Sequence, residues 1–340
     1  MAYQNVGTPR FFVSILQWLK SLGKFSVSGA GDTIPIRLPL VDINPTSQSI
    51  FHKAGGGSYG IDFKYKTLVG NFSGIMPEKK NFYMLLGHTL KDVFFWGRAD
   101  NTQDYVATTS LVNLGSGTKP SYNGFSIGIG NNADVVTSDT LEILVYDYEV
   151  DKDYKIGSIL YGTYYDMPHS PDLNLTMSRE YGGIKTIETK GGASLSNSFY
   201  RGSPAWGDAG AGELDSGTPS NKNLARSGRR VWDLSFSYIQ DSDVFPEISN
   251  LIWLEHYNHE TGSIYYADTS SGKRLLDDDS FYSQVIHKTN GGQLPFIFQP
   301  DKSNNNPDQF AICKLDMKSF KFEQVANSVY NVKLKIREVW

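Results

Sequence analysis

Four carboxylates, Asp147, Glu149, Asp151 and Asp153, alternate with Tyr148, Val150, Lys152 and Tyr154. On an extended strand successive side chains point to opposite faces, so this spacing lines all four acids along one face. Paired acids split a glycosidic bond when one stays protonated and the other ionised, at separations of about 5–10 Å across the sugar. Like charges on one face also describe a solvated sheet edge that discourages aggregation, or a site for a weak cation or a basic partner. The edge is the simpler reading, and the run Asp277, Asp278, Asp279 likewise reads as a solvated turn. His256 and His259, flanked by Glu255 and Glu260, could share a helix face as imidazole ligands. However, the glutamates stand outside an H-E-x-x-H order, no third ligand can be named, and a helix C-terminus favours histidine through its dipole alone.

Other chemistries lack their anchor. No G-x-S-x-G elbow presents a serine nucleophile. Gly115-Ser116-Gly117-Thr118-Lys119 has neither the spacing of a phosphate loop nor a helix after it. Gly128 to Ala133 carries the letters of a dinucleotide fingerprint but runs toward a strand, Leu141 to Tyr148, so no helix dipole would hold a pyrophosphate. No catalytic residue, metal or cofactor is therefore expected. Trp96, Trp206 and Trp232 could stack on sugars, although in a chain this aromatic most must serve the core. Only Trp206, inside a Gly-rich stretch, looks out of place there.

The elements that would position these residues read as strands. Turn signals recur at Gly29–Gly31, Gly55–Gly57, Gly115–Gly117, Asn131–Asn132, Gly182–Gly183 and Gly191–Gly192. Between turns lie segments rich in aromatic and β-branched residues: 61–65, 81–86, 93–96, 124–129 and 141–148. Short strands at such spacing predict an antiparallel sandwich or barrel. Val231 to Ile239 and Val329 to Trp340 also alternate; in the latter Val332, Leu334, Ile336 and Glu338 oppose a basic face of Lys333, Lys335 and Arg337. Two helices are expected. One runs from Phe11 to Leu22, with Phe11, Phe12, Ile15, Leu16, Leu19 and Leu22 on one side, Pro9 at its start and Gly23 at its stop. The other follows Ser242 and Asp243, with Pro246 in its first turn and Gly262 at its end. Residues 200–230 have no periodicity and read as a long loop, disordered or ordered by contact with another subunit.

The chain has 340 residues, 39% hydrophobic and 13% aromatic, enough apolar surface for more than one core. Its formal net charge of −4 argues against gripping nucleic acid. The lone Cys313 excludes an intrachain disulfide and a cysteine zinc site. Residues 11–22 are too short to span a bilayer and carry Gln17 and Lys20, so neither a membrane span nor a secretory leader is expected. The expected plan is mainly β with minor α. An N-terminal arm with a short amphipathic helix covers 1–44, a β-sandwich covers 45–170, and an α+β domain with antiparallel strands covers 171–340.

Several phrases resemble virion proteins of tailed bacteriophages. They are NFYMLLGHTL (81–90), IGSILYGTYYDMPHSPDL (156–173), RRVWDLSFSYIQDSDVFP (229–246) and LPFIFQPDKSNNNPDQFAICKLD (294–316), closing with VYNVKLKIREVW. The likeness is to distal-tail and minor-tail structural proteins, including those of environmental and crAss-like phages. It implies a galactose-binding-like shape for the sandwich and a non-enzymatic role in a virion tail or baseplate. The chain would form an oligomeric ring between tail tube or hub and peripheral fibres. An alternative it allows is a carbohydrate-binding module touching a host-surface glycan. A ring subunit must offer unlike surfaces to its neighbours. The residues expected to do so are Phe11, Phe12, Ile15, Trp18 and Leu19 of the first helix, Trp206 of the loop, and Lys333, Lys335 and Arg337 of the last strand. The basic strand would face Asp147, Glu149, Asp151 and Asp153 of an adjacent copy.

Overall fold

The computed structural model describes residues 5–27, 40–44, 48–53, 60–76, 80–90, 93–98, 106–107, 109–113, 125–130, 139–146, 152–180, 186–196, 229–246, 255–258, 263–266, 275–306 and 309–339. In chain order the first strands are β1 (Arg10–Ser14), β2 (Phe25–Val27), β3 (Ser49–Lys53), β4 (Gly60–Thr67), β5 (Asn81–Leu86), β6 (Phe94–Arg98), β7 (Val106–Ala107), β8 (Thr109–Asn113), β9 (Ser126–Gly130), β10 (Thr140–Tyr146) and β11 (Lys152–Ile156). They continue as β12 (Ser158–Asp166), β13 (Thr176–Glu180), β14 (Thr186–Glu188), β15 (Ser194–Ser196), β16 (Arg229–Gln240), β17 (Glu255–Asn258), β18 (Ser263–Tyr266), β19 (Phe296–Gln299), β20 (Ala311–Leu315), β21 (Phe322–Ala326) and β22 (Val329–Glu338). Helix α1 is Ile15–Ser21, α2 is Asp241–Val244, and a π-helix spans Tyr282–His287. The fold is mainly β, and every described strand pair is antiparallel.

Eleven strands form one sheet in the order β13-β16-β22-β20-β19-β1-β12-β5-β9-β8, with β21 beside β22. The expected arm is therefore corrected: residues 10–14 lie inside this sheet, hydrogen-bonded to β12 on one side and β19 on the other. Through β1 the ladder runs without a break from strands of the expected sandwich to strands of the expected C-terminal domain. A second sheet, β2-β4-β10-β6-β7, has five strands, and β3–β11, β14–β15 and β17–β18 are separate pairs.

Phe11 and Phe12 are strand residues, not helical ones. Phe11 packs its ring 5.3–5.6 Å from those of Phe281, Phe296 and Phe298, whereas Phe12 faces Phe82 at 5.2 Å. The two belong to different apolar clusters, one on each side of the sheet. A strand buried on both faces has no polar alternation, so its apolar run also satisfies a helical spacing. The helix starts only at Ile15, where the Ser14 hydroxyl accepts from the Gln17 amide at 3.3 Å, and it stops at Gly23, whose φ of +65° is open to glycine at little cost. The switch from strand to helix brings the Val13–Ile15 backbone against Gly162 of β12. A Cβ there would stand 2.0 Å from the Val13 carbonyl oxygen.

The other expected helix is also corrected. It has a single turn, because Phe245 must extend before Pro246 and does so at ψ 142°. Glu255–Asn258, expected as its end, is the hairpin strand β17. In β16 the ladder to β22 shifts between Phe236 and Ile239. This bulge puts Tyr238 at φ 62° and leaves it 74% exposed, although alternation predicts it beside Trp232, Leu234 and Phe236 on the core face.

Three clusters make the core. One joins Phe63 and Tyr65 of β4 and Leu141 and Ile143 of β10 to Tyr83 of β5, Tyr161 of β12 and the apolar side of α1. The second collects Trp232, Phe236, Leu334 and Ile336 with Val285 of the π-helix. The third lies around Phe12, Phe82, Ile127 and Phe310. Each fully buried side chain of this size contributes roughly 1.5–3 kcal/mol.

Candidate functional site

The π-helix is built around polar groups that the core has enclosed. The Gln284 amide nitrogen donates to the carbonyl oxygen of Ser280 at 2.9 Å. The Gln284 side chain, fully buried, accepts from Thr163 of β12 at 3.0 Å and from the Lys288 ammonium at 2.6 Å, and donates to the Asp278 carbonyl and to the Ser283 hydroxyl. These bonds tie the wide helical turn to a central strand, and π-helical turns of this kind recur at functional sites. Asp278, expected in a solvated turn, is buried, because its carbonyl caps this network. Burial holds the Lys288 pKa down at about 7, against the pull of Asp277, Asp279 and Asp278 toward the charged form.

Beside this segment a groove of about 1110 Å³ opens between α1, the loop after β4 and the π-helix. Trp18 and Leu22 form one wall, Val69 and Ile75 another, and Ile286 and His287 the third. Trp18 meets the His287 ring edge-on at 5.6 Å. The His287 pKa is lowered, first by burial and then by the charge of Lys288, so its ring is a neutral, largely apolar surface at physiological pH. Lys24 supplies a cation to the lining, which holds no carboxylate. Of its lining residues Leu22 and Val69 are exposed. Exposed aliphatic residues gathered around an apolar concavity characterise surfaces that receive another apolar group.

Of the residues expected to contact a neighbouring subunit, Trp18 and Leu19 line this groove. Phe11, Phe12 and Ile15 do not reach the surface: they are wholly buried in the chain's own core. Two of the three basic residues of β22 have acids within the chain. Arg337 pairs with Glu180 of β13 at 2.6 Å and Lys335 with Asp316 at 3.4 Å, while Lys333 is exposed. Asp153 is exposed on β11, and Asp147, Glu149, Asp151, Trp206, His259 and residues 200–228 lie outside the described residues, whereas Arg229 and Arg230, expected at the end of the long loop, begin β16. His256 sits on β17, so the expected helical pairing with His259 is lost. Among the described residues no group of His, Cys, Asp or Glu could hold a metal ion, and no helix is long and apolar enough to cross a membrane.

Sequence reasoning missed a buried ion pair at the sheet's other end. Glu338, on the apolar face of β22, receives both the Nε and a terminal nitrogen of Arg230 at 3.1 and 2.9 Å, together with the Arg230 backbone amide at 2.9 Å. Arg230 also lies 5.3 Å over the Trp232 ring and donates to the Phe310 carbonyl. The signal was present, since a carboxylate in register with Val332, Leu334 and Ile336 must be buried and needs a cation. Cys313 stands opposite Glu338, and burial followed by that carboxylate pushes its thiol well above the usual range, away from nucleophilic chemistry.

No family model, no curated protein and no solved structure matches the chain.

Proposed function

We propose that this chain is a non-enzymatic structural subunit of a tailed-phage virion, forming an oligomeric ring in the tail or baseplate that connects tube or hub with peripheral fibres. The observation that carries the reading is the apolar groove, with exposed Leu22 and Val69 in its lining, which suits docking against protein more than turnover of a polar substrate. The resemblance of the phrases around residues 81–90, 156–173, 229–246 and 294–316 to tail proteins supplies the class. Among the described residues the large sheet is open at β13 and β8, and an open edge can pair with another chain, which supports the same reading. Electron microscopy of the purified chain at rising concentration tests it. Closed rings are expected; lone particles that hydrolyse a saccharide would overturn it.

A second reading, a module that binds a host-surface glycan, has one observation in its favour. The five-stranded sheet and strands β5 and β12 share a core, as two layers of a galactose-binding-like sandwich would. Binding of the full chain to a defined sugar on a glycan array is its expected signature, and silence across the array removes it.

A further inference from the structure

Asn81 opens β5 on the face that also carries Tyr83 and Leu85, and it is 1% exposed. A carboxamide has two donors at Nδ2 and an acceptor at Oδ1, and burying it unpaired forfeits the hydrogen bonds it would make to solvent. Among the described residues neither Nδ2 nor Oδ1 of Asn81 has a hydrogen-bond partner. Turning the carboxamide over changes nothing, because both of its ends are orphaned. The same enclosure holds a second orphan. Tyr161 of β12 is wholly buried and stands opposite Tyr83, with the ring centroids 5.0 Å apart, and its hydroxyl has no partner among the described residues. Burial raises the pKa of that hydroxyl, and the Asn81 side chain works against the rise, so the two polar groups are neighbours although no hydrogen bond of good geometry joins them. Across the ladder Asn81 faces Thr163, whose hydroxyl donates to the Gln284 side chain at 3.0 Å and keeps acceptor capacity of its own. Residues directly opposite on antiparallel strands bring their Cβ atoms to about 4.5–5.5 Å. Asn81, Tyr161 and Thr163 therefore share one buried face of the sheet, on the side where Gln284 of the π-helix packs.

We infer that this enclosure is a binding site for an internal water molecule, which bridges the Asn81 carboxamide to the Tyr161 hydroxyl. The chemistry of the orphaned atoms selects the ligand. It must donate to Oδ1 and also accept from Nδ2. A metal cation cannot accept from Nδ2, a halide cannot donate to Oδ1, and an apolar molecule does neither. Water does both, and it is held where about two to four polar partners converge. The site accounts for an asparagine at the head of a strand that is otherwise Phe82, Tyr83, Met84, Leu85 and Leu86. Beside Thr163, the water extends the buried network of Gln284 and Lys288 to β5, so the π-helix is tied to two strands of the sheet instead of one. The inference is independent of the reading of the chain as a ring-forming subunit.

The test counts long-lived internal waters in the full chain by relaxation dispersion of water oxygen-17. The unmodified chain is expected to hold at least one more such water than the double variant Asn81→Leu with Tyr161→Phe; equal dispersion amplitudes overturn the site. Urea midpoints of the two single variants and the double variant complete a cycle. Each single variant should lower the midpoint, and the double variant should lower it by less than the sum, because either change already leaves the water short of partners. A midpoint that rises in Asn81→Leu would reveal a dry, unpaired amide and overturn the inference. Coupling between the two positions with no loss of a long-lived water would mean that Asn81 and Tyr161 bond to each other directly, which overturns it as well. Should Asn81→Leu fail to fold, Tyr161→Phe alone, which removes only the hydroxyl, goes through the oxygen-17 experiment with the same expected loss and the same refuting result.

Discussion

Lys288 is an ammonium group enclosed in the core with one close acceptor, the Gln284 carbonyl oxygen at 2.6 Å. Its folded pKa of about 7 lies below the ordinary 10.5, so between these values the unfolded chain binds more protons than the folded one. Stability therefore rises with pH through that window and is lowest where the buried amine is charged. The gain from about pH 7 to about pH 9 should be on the order of 2–3 kcal/mol, read from urea midpoints. Lys288→Met should be the more stable protein at neutral pH and should flatten the slope; an unchanged slope in that variant would show that another group titrates. Glu338 has the opposite logic. Its ion pair with Arg230 is buried on both sides, and removing one charge strands the other. Glu338→Gln should cost about 3–5 kcal/mol, and replacing Arg230 by Met together with Glu338 by Leu should restore most of that loss. A double variant no more stable than Glu338→Gln would rule out the stranded charge as the cause.

Aromatic and β-branched runs between turn signals declared themselves as strands, even where, as in 81–86, every residue is buried. The segments 81–86 and 141–148 were expected as strands and lie at Asn81–Leu86 and Thr140–Tyr146. The pattern misled at the first strand, where no turn signal separates strand from helix, and at irregular elements. Phe11 to Ser14 is apolar on both faces, so strand and helix predict the same letters; the bulge at Tyr238 reverses facing by one residue; and the π-helix hides its polar residues inward, against the usual rule. The groove was half legible: α1 was expected with Trp18 and Leu19, but its partner wall at Ile286 and His287 comes from a segment with no helical periodicity to announce it. The junction between β1 and α1 gives the sharpest test at this scale. Gly162→Ala puts a methyl against the Val13 carbonyl oxygen, Ser14 and the Ile15 amide, backbone that cannot step aside without moving β1. A loss of about 1–3 kcal/mol is expected in chemical denaturation. Gly74→Ala, where nothing lies within 4 Å, should be nearly neutral, and equal midpoints for the two variants would refute the crowding.

In the whole molecule, β1 decides whether the two ends of the sheet fold as one. It is bonded through five residue pairs to β12 and three to β19, and no other strand joins those two in the sheet order. Its two phenylalanines anchor different clusters: Phe11 belongs with Trp232, Phe236 and Ile336, and Phe12 with Phe82, Met84 and Ile127. If the ends of the sheet were independent units, Phe11→Ala would loosen only β16 and β22, and Phe12→Ala only β5 and β9. Because one strand carries both residues, loosening it removes a hydrogen-bonded neighbour from each side. Each substitution should therefore lower the stability of both ends, by about 3–5 kcal/mol for emptying a buried phenylalanine site. Hydrogen exchange followed by mass spectrometry resolves the two ends, since protection in β5 and β9 and in β16 and β22 can be followed separately against denaturant. A common denaturant dependence in both variants is the expected result. Protection that falls on one side alone would mean that β1 bridges two bodies without coupling them.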